Sequence, residues 1–125
     1  MLAIKRRIDP AEGSRAFSRW IEAAASGTEA LPRPVLAMAV RYTLEELATR
    51  AEGNSVEVRV PPFGVTQCIP GPRHTRGTPP NVIELPAELW LALAAGTLAW
   101  DAALATGRVT ASGLRADLSD ELPLV

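Results

Sequence analysis

Cys68 and His74 are the only cysteine and the only histidine of this chain, so any thiol–imidazole chemistry must come from that pair. A thiolate nucleophile needs a neighbouring base, and the base needs a third group to orient it. A proline-rich stretch separates the two residues, and spacing alone does not hold them together. No Gly-x-Ser-x-Gly or cysteine-rich signature accompanies them. The expectation is a small buried strand residue followed by a loop histidine, with a thiol-dependent enzyme as the rival. A zinc site takes three or four N, S or O ligands, and one cysteine and one histidine do not supply them. Asp117, Asp120 and Glu121 are close in sequence, but helical spacing and exposure account for them as a solvated face. Gly64, Gly71 and Gly77 have neither the spacing nor the Lys-Ser/Thr ending of a phosphate loop. No metal, no cofactor and no enzymatic activity are expected.

The most unusual polar stretch is Gly71-Pro-Arg-His-Thr-Arg-Gly-Thr. Arg73, His74 and Arg76 concentrate cationic donors on a short segment, which suits an anionic headgroup or an acidic partner surface. The competing reading is an exposed loop in an arginine-biased chain, since Lys5 is the only lysine. Proline and glycine on both sides lower the entropic cost of holding a binding shape.

The third constellation is apolar. Trp90 and Trp100 lie among Leu89, Leu91, Leu93, Leu98 and Leu104, interleaved with Ala92, Ala94, Ala95, Ala102 and Ala103. Leu89, Trp90, Leu91 and Leu93 wrap more than one face of a short helix, which is then buried on both sides or lines a cavity. The alanines mean either tight helix packing or spare volume.

These residues need elements to position them. Asp9 reads as an N-cap, with Pro10 at the first helical position and Glu12 three residues after the cap. Ala16, Phe17, Trp20, Ile21 and Ala24 make an apolar stripe, and Gly27 stops that helix. Residues 27–33 link it to a second helix over 34–52, opened by Pro34, stopped at Gly53-Asn54, and carrying Leu36, Val40, Leu44, Leu47 and Ala51 on one face. Glu45, Glu46 and Arg50 lie mostly away from that face.

The period then changes to two. Val56, Val58 and Val60 alternate with Glu57 and Arg59, a strand with one wet face. Pro61-Pro62 ends it, Phe63-Gly64 turns the chain, and 65–69 returns as the second arm of a hairpin. The breakers across 70–80 make a loop. A strand over 81–85, helices over 86–95 and 99–105, and a strand over 108–112 follow. Residues 115–122 make one or two last helical turns. Grouped strands with grouped helices indicate α+β, with helices covering one face of a small, mostly antiparallel sheet.

The whole chain, residues 1–125, reads as one domain large enough to bury a core without staples. A net charge of -1 argues against nucleic acid as the main partner. No apolar region follows the basic cluster Lys5, Arg6 and Arg7, so no secretory signal is expected, and the apolar run 35–40 is too short to span a bilayer. A soluble, cytoplasmic protein is the expectation.

Helix 34–52, the strand Val56 to Val60, strand 81–85 entering an acidic-capped helix, the Gly96-Thr-Leu-Ala-Trp turn and the Ala105-Thr-Gly-Arg-Val-Thr-Ala-Ser-Gly stretch together resemble the sterol carrier protein type 2 domains. The runs Pro61-Pro-Phe-Gly-Val-Thr-Gln-Cys-Ile and Gly71-Pro-Arg-His-Thr-Arg-Gly-Thr-Pro-Pro-Asn are similar to those of small stand-alone bacterial sterol-carrier-like proteins. The resemblance covers most of the chain. It implies a hydrophobic cavity between sheet and helices that binds, and by extension transfers, a lipid or other apolar small molecule without chemistry. The expected lining is Leu36, Val40, Leu44, Phe63, Trp90, Leu93, Trp100 and Leu104, with Arg73, His74 and Arg76 at the mouth for a headgroup or a partner. The alternative is a protein-interaction module with a filled core that uses loop 70–80.

Overall fold

The computed structural model describes residues 6–27, 31–71 and 81–125. The first helix, α1 (Pro10–Ser26), starts as its caps dictate: the Asp9 carboxylate accepts the Glu12 amide at 3.1 Å, and Gly27 closes the helix in the left-handed region. It packs on α2 (Arg33–Arg50). Their closest approach is made possible by Gly13, where a Cβ would sit 2.5 Å from the ring of Tyr42. Phe17 meets the same ring, centroid to centroid at 6.5 Å.

The second helix is buried over a wide arc, including Ala37, Ala39, Val40, Thr43, Leu44, Leu47 and Ala48. It is sandwiched between α1 on one side and the sheet and third helix on the other, which is why one apolar stripe does not describe it. It ends at Arg50 rather than Glu52, and the reason is tertiary. The Ala51 carbonyl accepts the Ile69 amide at 2.6 Å, which commits that carbonyl to the hairpin.

Four strands follow in the expected places: β1 (Val56–Val60), β2 (Gly64–Cys68), β3 (Val82–Glu84) and β4 (Thr110–Ser112). The spatial order is β2-β1-β3-β4. The outer pairings are antiparallel and the central β1–β3 pairing is parallel, so the sheet is mixed within an α+β fold. Alternation of apolar and polar residues sets the face of a strand but not the direction of its neighbour. Val56, Val58, Val60, Cys68 and Ile83 form the fully buried face. Glu57 and Arg59 occupy the other face, paired at 2.5 Å.

The third helix, α3 (Ala87–Ala95), stops at Gly96, and α4 (Trp100–Ala105) follows directly. Residues 115–122, expected to be helical, form turns instead. The Asp117 carboxylate accepts the Ser119 amide at 2.8 Å, a local bond that competes with helix. The same bond holds the Asp117 carboxyl below its usual range. Leu118 and Leu124 are buried, and the Leu124 amide donates to the Ala94 carbonyl at 2.9 Å, which ties the C-terminal segment to α3.

Candidate ligand-binding site

The eight residues expected to line a cavity separate into four pairs. Val40 and Trp90 are fully buried in the main core. The Trp90 indole N–H donates to Thr43 Oγ1 at 2.8 Å, and that hydroxyl lies 2.7 Å from the Ala39 carbonyl and 2.9 Å from that of Val40. A buried indole needs such a partner, so the contact pins α3 to α2 and fills the space between them. Leu44 and Phe63 share one cleft; Leu93 and Trp100 share another. Leu36, half-buried, and Leu104, 39 % exposed, line neither of these two.

The first cleft measures about 290 Å³ and opens between α2, Arg7 and Ile8, and the β1–β2 hairpin. Its floor is Leu44, Phe63 and Ile8, and Gly64, Val65 and Thr66 form the hairpin wall. Gly64 permits this geometry, since a Cβ there would stand 3.2 Å from Leu44 Cδ1 and 3.6 Å from Arg41 Cγ. The rim is cationic. Arg41 Nε donates to the Phe63 carbonyl at 2.8 Å, and the Arg33 guanidinium lies 5.2 Å from the centroid of the Phe63 ring. Arg7 completes the rim, and Glu45 is the only carboxylate among the lining residues. Both of its oxygens are occupied, Oε2 by the Arg7 amide at 2.8 Å and Oε1 by the Ile8 amide at 3.1 Å.

The second cleft measures about 380 Å³ and lies between α3, α4 and the C-terminal segment. Leu93, Leu98, Trp100, Leu122 and Pro123 line it, with Asp101 and Ser119 as its polar side chains.

Arg73, His74 and Arg76 fall outside the described residues. The base of their loop is well tied. Asn81 and Ser55 are buried; Asn81 Nδ2 donates to the Ser55 carbonyl at 2.8 Å, Asn81 Oδ1 accepts the Arg115 amide at 2.8 Å, and Ser55 Oγ donates to the Ile69 carbonyl at 2.7 Å. The roles of Ser55, Asn81 and Thr43 left no signal in the sequence, because a lone polar residue carries no periodic pattern. The sequence places Glu45 mostly away from the apolar face of its helix and gives it no partner, although the acidic pair Glu45-Glu46 matches the basic pair Arg6-Arg7.

Cys68 is fully buried. Burial pushes its thiol up to about 12, with a further push from the Glu121 carboxylate. A thiol so placed is protonated at neutral pH and out of reach of substrate, as the reading of Cys68 as a buried strand residue requires. Among the described residues no group of three or more His, Cys, Asp or Glu side chains is arranged to hold a metal ion. No helix among them is long and apolar enough to cross a membrane.

A family model described as "Bacterial SCP ortholog" matches residues 32–124, from the start of α2 to the end of the C-terminal segment. A comparison with curated proteins found no match.

Proposed function

The chain belongs to this bacterial sterol-carrier-protein family, and from that premise we propose that it is a non-catalytic lipid carrier that binds an amphiphile with an apolar body and an anionic end. The observation that carries this reading is the first cleft. Its apolar floor is bordered by Arg7 and Arg41, the Arg33 guanidinium lies over the ring of Phe63, and the one lining carboxylate is already committed to backbone amides. Guanidinium favours carboxylate and phosphate through paired N–H donors. Each methylene that leaves water for the floor contributes about 0.8 kcal/mol. Ligand pockets usually run from about 300 to 1,000 Å³, so the cleft of about 290 Å³ takes the head-proximal part of a chain. A longer chain would have to displace Leu44 and Phe63. Arg73, His74 and Arg76 stand in this proposal as a second set of headgroup donors.

Native mass spectrometry before and after organic extraction tests the reading. The expected result is extra mass that leaves with the solvent, or that appears on challenge with a long-chain fatty acid. A clean apo mass that no lipid changes would refute it. Changing Arg73 and Arg76 together to Ala should weaken a fatty acid but leave its neutral alcohol alone; equal losses on both would remove those residues from the headgroup role.

A second reading has its own support. The Val40, Thr43 and Trp90 packing leaves the centre between α2 and α3 filled, as an interaction module requires. A protein partner captured by the intact chain and lost on substitution within loop 70–80, together with a lipid-free mass, would favour that reading.

A further inference from the structure

The family match begins at residue 32, yet part of the first cleft comes from residues well before it. Arg7 and Ile8 both line that cleft. They are held there by two consecutive acids of α2. The Glu45 carboxylate accepts the Arg7 and Ile8 amides at 2.8 and 3.1 Å. The Glu46 carboxylate takes the Arg6 guanidinium at 2.7 Å and shares itself with Arg50 at 3.5 Å. Three successive residues are therefore clipped to one turn of helix by side chains alone, with no backbone ladder.

The clip has a pivot and an imperfection. At residue 9 the chain enters α1, which is capped by Asp9 and packed on α2. Residues 6–8 can thus swing about Asp9 while α1 stays folded. Arg6 Nη1 is buried and finds no acceptor among the described residues, and an unmade bond of this kind offsets part of what the ion pair contributes. The seated position is held, but not deeply.

We propose that residues 6–8 form a strap that completes and closes the cleft between α2 and the β1–β2 hairpin, with Glu45 as its latch, Ile8 as part of the apolar floor and Arg7 as a headgroup donor. Lifting the strap widens the cleft and speeds entry of a chain longer than the seated cleft holds. As a gate for ligand this rests on the lipid-binding reading above; as a moving cover it does not.

The test uses the full chain carrying Thr66→Cys, which puts a thiol in the hairpin wall of the cleft, and follows its reaction with a bulky maleimide at neutral pH. Adding Glu45→Ala removes both acceptors and should raise the labelling rate about tenfold, the scale set by losing hydrogen bonds to a charged group. Glu45→Gln keeps one acceptor and should give a smaller rise. The buried Cys68 is the internal control and should stay unlabelled throughout. An unchanged rate at the introduced thiol, or labelling of Cys68 in step with it, would overturn the strap, the second by showing general loosening. A fluorescent fatty acid added to the same variants separates the two proposals. Faster labelling with no fatty acid bound by any variant sustains the strap as a cover and sinks the lipid reading. Fatty acid bound at equal rates by wild type and Glu45→Ala sinks the strap and leaves the lipid reading standing.

Discussion

The two clefts differ in charge more than in shape. Both have leucine and aromatic floors, and both are closed on one side by a chain segment outside the main helices. The first is rimmed by Arg7 and Arg41 with a committed Glu45; the second has Asp101 and no cation among its lining residues. Apolar area sets how tightly a body is held, and rim charge sets which end group is admitted. Under the proposed function, an anionic amphiphile favours the first cleft over the second. The covers differ as well. The first is clipped by side chains of Glu45 and Glu46, while the second is anchored by buried Leu118 and Leu124 and by the Leu124–Ala94 backbone bond. A polar clip with part of its donors unmet opens more readily than a cover whose leucines are buried.

The sharpest way to break the comparison is to remove what lies between the helices that form the two floors. Trp90→Ala should destabilise the protein by about 3–5 kcal/mol, because it leaves a large cavity and removes the hydrogen bond that the Thr43 hydroxyl accepts; urea unfolding measures it. A loss below about 1 kcal/mol would show that the α2–α3 interface is not packed as described.

Next comes Cys68, which lines neither of these clefts. Its folded pKa is raised from 9.0 to about 12, so the folded state favours the protonated thiol. The associated stability is fully present below about pH 9 and is lost as pH rises toward 12, with a slope of up to about 1.4 kcal/mol per pH unit. Cys68→Ala should flatten stability against pH between 9 and 12 relative to wild type. Parallel profiles would mean that the thiol is solvated in the folded state.

The smallest effect carries the charge argument. Arg41→Ala should weaken a fatty acid several-fold to about tenfold, or roughly 1 kcal/mol, and leave the matching alcohol almost unchanged, while Asp101→Asn changes neither. Calorimetry distinguishes the cases, and the reverse pattern would move the ligand to the second cleft.

Much of this architecture is legible in particular residues. Asp9, Pro10 and Gly27 bracket α1, the alternation of Val56, Val58 and Val60 marks β1 and its buried face, and Gly96 ends α3. Each is a local rule acting over a few residues. The family resemblance carried by helix 34–52 and the elements after it agrees with the match over residues 32–124. The site was less legible. Leu44 and Phe63 meet, and so do Leu93 and Trp100, but Val40 and Trp90 lie in the filled core. Hydrophobicity marks a residue for removal from water without saying whether a neighbour or a ligand covers it.

From the order of amino acids alone come the element types from α1 to β4, the α+β class, the buried face of the hairpin and the inert character expected of Cys68, because backbone propensity, capping and periodicity act between near neighbours. Tertiary structure alone decided the parallel β1–β3 pairing, the early end of α2 at Arg50, the close approach at Gly13, the Thr43–Trp90 bond and the capture of residues 6–8 by Glu45 and Glu46. These depend on which distant groups meet, and no short-range pattern encodes a meeting between residues far apart in the chain.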